Sequence, residues 1–587
     1  MHNIDSNRFF CRLRALFSMQ AIKSAFSILR SGELLFFIVR LYELLFKSPP
    51  DLKTLIAEGG GVNILATSHT MYVAYLVRDH LAYAGIEGRI IEKLEPSSKS
   101  NMLHIVICAN MFTKLPRYMI AVQMEQTTSD RWFTRRYVHI LRSRAIAVVD
   151  YSIRNIAFLS DNLRIPHQKL FLFPIGYSPS FGALFAPASE DEFTTVRERK
   201  YDLAFYGAMN ERRRSVLRIL EQHFSVLVIS ECFDVNLYAM LKQAKAVINI
   251  HYYEPALLET TRIHECLALG CKIFSEKSVD QSAHQEELGE LIHFVDFDDP
   301  DSAVASIRRQ LDLIPQAFVG HNSSDGMLRR SADSSRFYFL RMLVGLGVID
   351  FRLLESLPLA SPIPSRLEFV CLSLPETHQR RVRAWKPTNR NVELFDGIRH
   401  PIGWVGCALS YKFLATRALK KGVNQLTIFE DDLDPVRLDP VTLSSIDRYL
   451  LDHESQWDVF CGLITDLTSS ASISRIEEFE GLLFIHLNKM TGMVFNIYAR
   501  SALEILSCWR FDNEVTALTI DRHLEASSDL RVVTVLPFVA GHDEALSSTL
   551  WGFRNSVYNE WIVASQHRLG SMVSEFRSNA GAGTPLL

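Results

Sequence analysis

The sequence predicts an α/β protein with two successive parallel-sheet lobes, a third α/β region after them, and a helical segment in front. Short β-branched runs alternate with amphipathic stretches from residue 62 onward, which is typical of strands followed by helices. The proline- and serine-rich stretch SLPLASPIPS at 356–365 has no periodicity and predicts a linker. At roughly 150 residues per domain, a chain of 587 residues is expected to form several compact units.

The amino-acid composition limits the classes of molecule that the protein is expected to bind. The chain is 48% hydrophobic and 22% charged, with a formal net charge of -3, so no basic field attracts nucleic acid and we expect no nucleic-acid partner. The nine cysteines are scattered without a CxxC pair, which favours free thiols in a reducing compartment such as the cytoplasm.

The first segment, residues 1–55, predicts amphipathic helices in which basic side chains interrupt the apolar positions. Its longest apolar run, LLFFIV at 34–39, is far shorter than the ~18 residues needed to span a bilayer. Two interpretations stay open. The helices lie on an anionic membrane surface, as basic amphipathic helices do, or they dock on the body of the protein.

Ten buried strands are predicted in the next 300 residues, five in each lobe. Residues 56–195 contain VNILAT, HIVICA, YMIAVQM, AIAVVD and KLFLFP, and residues 196–355 contain YDLAFYG, FSVLVIS, AVINIH, KIFSE and LIHFVDF. Strands that alternate with helices predict parallel sheets. The three glycines at 59–61 precede a strand rather than follow one, so the dinucleotide-binding fingerprint of an oxidoreductase is excluded.

A third α/β region spans residues 366–570, with a tail at 571–587. Its strand LTIF runs into Glu430, Asp431 and Asp432. Carboxylates at the carboxyl end of a strand lie where open α/β sheets bind ligands, and crowded oxygen donors suit Mg²⁺ or Mn²⁺. The alternative is a solvated acidic turn.

The residues around this acidic cluster form an ordered set of motifs: the paired arginines of PETHQRRVR, the helix GWVGCALS with Gly406 and Ser410, the strand TGMVFNIYA with Thr491 and Gly492, and the helix start LTIDRHL with Asp521. Over residues 366–550 this set resembles glycosyltransferase family 25, the lipooligosaccharide and procollagen galactosyltransferase-like enzymes. Two positions depart from the family, Trp404 and Tyr411, the latter standing where a histidine is usual.

The resemblance implies a GT-A-like nucleotide-sugar fold. Asp431 and Asp432 would bind Mn²⁺ or Mg²⁺, and Asp432 and Asp521 would be catalytic, with Asp521 as the base. A helix N-cap is the alternative role of Asp521. Donor-binding roles are implied for Glu430, Gly406, Ser410, Thr491 and Gly492.

The segment ALLETTRIHECLALGCKIFSE at 256–276 carries Glu259, Arg262 and Glu265. It resembles the donor-binding segment of group 1-like GT-B glycosyltransferases, in which a glutamate on this helix accepts hydrogen bonds from the donor ribose. Glu265 matches that position, whereas Glu259 lies six residues before it and the common retaining families have eight. The resemblance implies donor contacts for all three residues.

Other donor-side candidates come from YGAMNERRRS, where Asn210, Arg212 and Arg213 open a helix after a strand. Helix amides and guanidinium groups suit a diphosphate, and the alternative is a solvated helix face. His251 ends the strand AVINIH and is either a donor contact or structural.

The expected protein is therefore a bifunctional glycosyltransferase, GT-B followed by GT-A. It would transfer sugars from donors such as UDP-hexose to a bacterial surface glycan, lipopolysaccharide or capsule, on a glycan or lipid-linked acceptor. A cytoplasmic location, with peripheral contact to the inner membrane, would fit that supply of donors. The alternatives are a protein O-glycosyltransferase, or one active GT-A module beside a non-catalytic GT-B scaffold.

Overall fold

The computed structural model describes residues 51–94, 101–127, 130–184, 199–313, 325–357, 368–511, 518–550 and 553–582. The chain forms two compact units. The amino-terminal unit comprises Leu52–Leu343 and Val348–Pro362, and the carboxy-terminal unit comprises Val344–Gly347 and Ile363–Leu587. Residues 1–50 of the amphipathic segment predicted at 1–55, and most of the predicted linker, lie outside the described residues.

The first lobe of the amino-terminal unit is a six-stranded parallel sheet with the order β2-β1-β3-β4-β5-β6. Nearly every residue of its central strands is buried, as expected for a sheet covered by helices on both faces. The strands are β1 Val62–Leu65, β2 Gly88–Ile91, β3 Leu103–Ile107, β4 Tyr118–Gln123, β5 Ala147–Asp150 and β6 Leu170–Leu172. The helices are α1 Leu52–Gly59, α2 Met71–Tyr83, α3 Arg135–His139, α4 Ile153–Asp161 and α5 Pro179–Leu184.

The second lobe is a five-stranded parallel sheet with the order β11-β10-β9-β7-β8. Its strands are β7 Tyr201–Tyr206, β8 Val226–Ile229, β9 Ala244–Asn249, β10 Lys272–Glu276 and β11 Ile292–Val295. Its helices are α6 Glu211–Glu221, α7 Asp234–Leu241, α8 Thr260–Ala268, α9 Gln281–Leu288 and α10 Pro300–Asp312. Both lobes therefore have the parallel, Rossmann-like topology that the alternating pattern predicts.

A long helix, α11 Asp325–Gly345, follows the second lobe and is succeeded by α12 Phe351–Glu355. Two serines of α11 bind histidines from different lobes. The Ser331 hydroxyl lies 3.0 Å from Nε2 of His264 on α8, and the Ser335 hydroxyl lies 3.0 Å from Nε2 of His80 on α2. The helix thus connects the two lobes through buried hydrogen bonds.

The carboxy-terminal unit contains an eight-stranded mixed sheet with the order β13-β12-β14-β19-β16-β20-β18-β17. Its strands are β12 Phe369–Ser373, β13 Glu393–Asp396, β14 Gln425–Glu430, β16 Val459–Cys461, β17 Ile473–Phe479, β18 Leu482–Leu487, β19 Phe495–Ala499 and β20 Val532–Leu536, and a separate antiparallel pair joins β15 Leu433–Asp434 to β21 Gly541–His542. Its helices are α13 His378–Arg383, α14 Gly403–Lys420, α15 Pro440–Asp452, α16 Arg500–Ser507, α17 Ile520–Glu525 and α18 Asn559–Ala582.

Three features of this fold differ from the predicted pattern. The edge strand β2 was not predicted, nor was the hairpin β17–β18, whose turn residues Glu480 and Gly481 both have positive φ, as in a type I′ turn. This turn lacks the Asn-Gly or Asp-Gly signal that marks most such hairpins. Residues 571–582, predicted as tail, continue helix α18.

No helix among the described residues is long and apolar enough to cross a membrane. The eight cysteines that the structure describes are all free thiols.

Two candidate active sites

The donor-side candidates of the second lobe meet where β7 turns into α6. The side chain of Asn210 caps α6 by accepting a hydrogen bond from the Arg213 amide at 2.9 Å. Gly207 adopts a φ of +134°, and a Cβ there would lie 3.0 Å from an Arg262 nitrogen and 3.3 Å from an Arg213 nitrogen. The glycine therefore gives two guanidinium groups room beside the strand end.

Glu259, which precedes α8, lies between these two arginines. Its Oε2 accepts from Arg262 Nη1 at 2.7 Å and its Oε1 from Arg213 Nη2 at 3.2 Å, while His251 Nδ1 is 3.7 Å from Oε1. Burial acts to raise the pKa of Glu259, but the charge of Arg262, with His251 and Arg213, lowers the pKa to about 2. The carboxylate is ionised at neutral pH.

The two arginines are themselves anchored to protein atoms. Arg213 is buried and donates to the carbonyls of Ile250 at 2.9 Å and Ala208 at 2.8 Å, and burial lowers its pKa to about 10. Arg262 donates to Asn249 Oδ1 at 2.8 Å. Both guanidinium groups are thereby held rigidly around Glu259.

Arg212, unlike the buried Arg213, lies at an open pocket. It lines an open pocket of about 220 Å³ at the carboxyl ends of β9, β10 and β11, together with His251 and Lys277. Its Nη1 donates to Glu276 Oε2 at 3.0 Å and its Nε to Glu254 at 3.1 Å, and about a quarter of its side chain is exposed. Arg212 is thus the arginine of this group that faces a space able to hold a ligand.

Glu265 lies on α8 beyond Glu259 and is bound by phenols. Tyr206 donates to its Oε2 at 2.7 Å and Tyr238 to its Oε1 at 3.3 Å. The structure therefore separates the two predicted donor glutamates into different environments, one between arginines and one between tyrosines.

A buried polar network at the carboxyl ends of strands in the first lobe was not predicted. Asp150 is fully buried, and its burial raises its pKa to about 7 although Ser152, Gln123 and Asn155 donate hydrogen bonds to it. The sequence contains a sign of this network, because the apolar strands β4 and β5 end in the polar residues Gln123 and Asp150.

This edge of the first lobe meets the second lobe. Gln126 donates to the Leu257 carbonyl and accepts from the Leu257 amide, both at 3.0 Å. Trp132 donates to the Tyr253 hydroxyl at 2.9 Å. The carboxyl strand ends of the two lobes therefore face each other, which is where open α/β sheets bind ligands.

The second candidate site lies in the carboxy-terminal unit, at the neighbouring carboxyl ends of β13, β12 and β14. The paired arginines of α13 divide between these strands: Arg380 binds the carboxylates after β14, and Arg381 forms an ion pair with Asp396 at the end of β13. This division explains why two adjacent arginines follow β12.

Arg380 bridges the two aspartates of the acidic cluster. Its Nε donates to Asp431 Oδ1 at 2.8 Å, and its Nη2 lies 3.0 Å from Asp432 Oδ2. Ser373 donates to Asp431 Oδ2 and Asn555 to Asp432 Oδ2, each at 2.8 Å. The repulsion among these buried carboxylates is therefore relieved by a guanidinium group.

This arrangement does not support the predicted metal site at Asp431 and Asp432. Both oxygens of Asp431 accept hydrogen bonds from Arg380 and Ser373, which leaves Oδ1 of Asp432 as the buried carboxylate oxygen without a partner. Among the described residues, no group of three or more His, Cys, Asp or Glu side chains is placed to hold a metal ion. The residues present do not fit Mn²⁺ or Mg²⁺.

Glu430 stands at the other side of the cluster. Burial, and then the charge of Asp432, raises the pKa of Glu430 to about 8. The Tyr411 hydroxyl donates to the Met493 carbonyl at 2.9 Å and lies 3.4 Å from Glu430 Oε1. Tyr411, the residue that departs from the family pattern, thus contacts the acidic cluster directly.

Asp521 reaches the same region. It is the second residue of α17, whose N-cap is Thr519, so the alternative role of an N-cap is excluded. After burial and Glu430, the charge of Asp521 contributes to the raised pKa of the Cys407 thiol. Cys407 lies 3.7 Å from Glu430, so the thiol is close to the acidic cluster.

Gly406 and Ser410 shape the segment before this site. The Ser410 hydroxyl accepts from the Ile398 amide and donates to the Gly406 carbonyl, each at 2.8 Å, and a Cβ on Gly406 would lie 2.8 Å from the Ile398 carbonyl. The two residues hold α14 close against the chain that follows β13.

Thr491 and Gly492 shape a second supporting segment. Thr491 is buried and donates to the Asp466 carbonyl at 2.5 Å, and Asp466 in turn binds Arg522 of α17 at 2.6 Å. Gly492 has a φ of +129°, and a Cβ there would lie 2.6 Å from the Leu463 carbonyl. This segment therefore supports the helix that carries Asp521.

The chain is only distantly similar to known proteins. No protein-family model matches the chain. Two uncharacterised proteins of Acanthamoeba polyphaga mimivirus, R358 and L137, are 24% identical over 192 residues and 26% identical over 194 residues. Each match covers 32% of this chain, and the chain spans 62% and 24% of the length of these relatives.

The similar solved structures include several glycosyltransferases. One is WaaG, a glycosyltransferase involved in lipopolysaccharide biosynthesis, with 11% identity, coverage of 48% of this chain and 98% of its own, and a TM-score of 0.31. Others are a glycosyltransferase from Rickettsia africae, with 10% identity, coverage of 50% and 95% and a TM-score of 0.28, and an α1,3-fucosyltransferase, with 11% identity, coverage of 54% and 99% and a TM-score of 0.28. At these TM-scores the similarity carries no further conclusion about function.

Proposed function

We propose that the protein is a glycosyltransferase that uses nucleotide-sugar donors, with a GT-B-like catalytic site in the amino-terminal unit and a GT-A-like site in the carboxy-terminal unit. The observation that carries the proposal is the ionised Glu259 held between Arg213 and Arg262 at the strand ends that face the other lobe.

Glu259 is suited to binding sugar hydroxyls. A carboxylate offers about four lone-pair positions, and the two arginines use one contact on each oxygen. Because its low pKa keeps it ionised, it can accept hydrogen bonds from donor hydroxyl groups. Asn210, Arg262 and His251 hold this carboxylate and its strand end in place, and Glu265 remains the candidate for the donor ribose.

Arg212 and Lys277 are suited to the donor diphosphate. Both line the open pocket at the ends of β9, β10 and β11. Guanidinium and ammonium groups bind phosphate oxygens and stabilise the charge that develops on a leaving nucleoside diphosphate.

In the carboxy-terminal unit, Asp521 is the proposed base for the acceptor hydroxyl, and Asp432 is the second proposed catalytic residue. Glu430, Gly406, Ser410, Thr491 and Gly492 would form or support the donor site. The predicted divalent cation has no place in this proposal, because Asp431 and Asp432 are already paired with Arg380.

The acceptor is proposed to be a bacterial surface glycan, either lipopolysaccharide or capsule, reached from the cytoplasmic face of the inner membrane. A protein acceptor is the alternative, and a non-catalytic amino-terminal unit is another.

The test is donor use by the full chain. We expect saturable binding of UDP or another nucleotide in titration calorimetry, and slow hydrolysis of the matching nucleotide sugar. Glu259→Gln should abolish one donor activity and Asp521→Asn a second one. Glu211→Gln, an exposed glutamate on α6, is the matched control and should leave both activities unchanged.

Each outcome has a defined meaning. Loss of every activity in Asp521→Asn alone would favour a non-catalytic amino-terminal unit, and the absence of any nucleotide binding or hydrolysis would overturn the proposal. Labelled sugar recovered in a lipid-extractable or polysaccharide fraction supports a glycan acceptor, whereas label in a protein fraction supports the alternative. Running the reactions with Mn²⁺ and with a chelator tests the predicted cofactor separately.

A further inference from the structure

The residue Glu125 lies where the two lobes of the amino-terminal unit meet. It follows β4 by two residues, at the carboxyl edge of the first sheet. Its neighbour Gln126 makes two hydrogen bonds to the backbone of Leu257 in the second lobe. Glu125 is therefore placed on the edge that faces the second lobe and the segment leading to Glu259.

The backbone of Glu125 is held by the buried polar network. Gln123 accepts from the Glu125 amide at 2.5 Å and donates to its carbonyl at 2.7 Å, and Asn155 donates to the same carbonyl at 3.2 Å. Gln123 and Asn155 both donate to the fully buried Asp150, at 2.8 and 3.1 Å. A backbone that is fixed from several directions helps to position the side chain of a catalytic group.

The side chain of Glu125 stays partly exposed while its backbone is fixed. Asn110, from the segment after β3, donates to Glu125 Oε1 at 3.0 Å. This contact orients the carboxyl group and leaves part of it open to a substrate.

The surroundings also favour proton acceptance. Burial raises the pKa of Glu125, and the hydrogen bond from Asn110 only partly offsets this. The groups that interact with it electrostatically are the Cys108 thiol and the Tyr137 phenol, whose own pKa values are raised chiefly by burial. Both are uncharged at neutral pH, and a raised pKa makes a carboxylate a more effective base.

We propose that Glu125 is the general base that activates the acceptor hydroxyl in the amino-terminal unit, so that this unit transfers its sugar with inversion. The inference rests on the proposed function. The carboxylate of Glu125 takes the proton of the acceptor O–H, and the oxygen lone pair forms a bond to the anomeric carbon. The bond from that carbon to the diphosphate oxygen breaks, its electron pair leaves with the nucleoside diphosphate, and the proton on Glu125 passes to solvent.

The test follows the transfer reaction that Glu259→Gln abolishes, in the full chain. Glu125→Gln is isosteric and should lower the turnover number of that reaction by about 10²- to 10⁴-fold. Its affinity for UDP, or for the nucleotide found to bind, should match the wild type. Glu125→Asp retains a carboxylate and should give an intermediate rate with an unchanged donor KM. Glu58→Gln, an exposed glutamate on α1, is the control and should have wild-type activity.

Two further measurements separate catalysis from structure. Azide needs no deprotonation, so it should accept the sugar from Glu125→Gln and give a glycosyl azide of inverted configuration. Magnetic resonance of the ordinary product should also show an inverted anomeric centre. Wild-type turnover in Glu125→Gln, or a retained configuration, would overturn this inference and leave the proposed function standing. Absence of donor use by the wild type would overturn both.

Discussion

Each of the two candidate sites holds carboxylates near the carboxyl ends of parallel strands. The two sites differ in the ratio of arginines to carboxylates. In the amino-terminal unit one carboxylate, Glu259, lies between Arg213 and Arg262. In the carboxy-terminal unit a single guanidinium group, that of Arg380, serves both Asp431 and Asp432, and Glu430 lies beside them.

Burial acts in the same direction at both sites, because it penalises the charged form of a carboxyl group. The neighbours decide the outcome. Cationic side chains lower the pKa of Glu259 from 4.5 to about 2. Burial and the charge of Asp432 raise the pKa of Glu430 from 4.5 to about 8, although Arg380 opposes this. The comparison shows that burial penalises both carboxylates, and that the ratio of arginines to carboxylates decides whether this penalty is overcome.

Removing Arg380, which pairs with both Asp431 and Asp432, should have the largest effect on the free energy of unfolding. Arg380→Met leaves Asp431 and Asp432 buried without a counter-charge, and breaking a buried pair in this way costs about 3–5 kcal/mol. We expect that loss in the free energy of unfolding of the carboxy-terminal unit, measured in urea with hydrogen exchange to assign the transition to this unit.

Arg383→Met is the matched control, since Arg383 is an exposed arginine on the same helix. It should change the free energy of unfolding by less than about 0.5 kcal/mol, as surface substitutions usually do. Equal losses for the two variants would show that Arg380 does not neutralise the cluster.

The sites around Glu259 and Glu430 should respond to pH in opposite directions. The depressed pKa of Glu259 gives stability that is present above pH 4.5 and is lost as the pH falls towards 2. The raised pKa of Glu430 gives stability that is present below pH 4.5 and is lost as the pH rises through 8. Hydrogen exchange of peptides from α8 and β14, corrected for the intrinsic rate at each pH, measures the two responses in one sample.

Glu430→Gln sharpens this prediction because it keeps the shape of the side chain and removes its titration. The variant should flatten the dependence of the carboxy-terminal unit on pH between 5 and 8 and leave the amino-terminal unit unchanged. A carboxyl infrared band that disappears near pH 8 in the wild type should be absent from the variant. If the wild type shows no such band at pH 6, Glu430 is not protonated there and the contrast between the sites is wrong.

The smallest effect is expected for Tyr411→Phe, which removes the hydroxyl that donates to the Met493 carbonyl beside Glu430. A lost hydrogen bond of this kind costs about 1 kcal/mol. Urea unfolding of the full chain measures the change, and the pH midpoint of Glu430 should shift in the same experiment. A loss as large as that of Arg380→Met would mean that the hydroxyl contributes as much to the stability of the site as the arginine does.

The strands of the first two lobes could be predicted because fully buried parallel strands are short apolar runs, such as LHIVI in β3 and AVVD in β5. The hairpin β17–β18 could not, because β17 is an edge strand with polar and half-exposed residues and its turn is Glu-Gly. Glu259, Arg262 and Asp521 became candidates because they stand at or in helices whose sequences resemble segments of known glycosyltransferases. Glu125 and Asp150 lie in no such segment.

The sequence by itself determined the alternation of strands and helices, and therefore which residues stand at the carboxyl ends of strands, because that pattern is local and set by side-chain periodicity. Only the tertiary structure decided which of those residues meet. Arg380 reaches Asp431 across 51 positions of chain, and Arg213 reaches Glu259 across 46. The charge balance of each site depends on these distant contacts, and no local pattern specifies them.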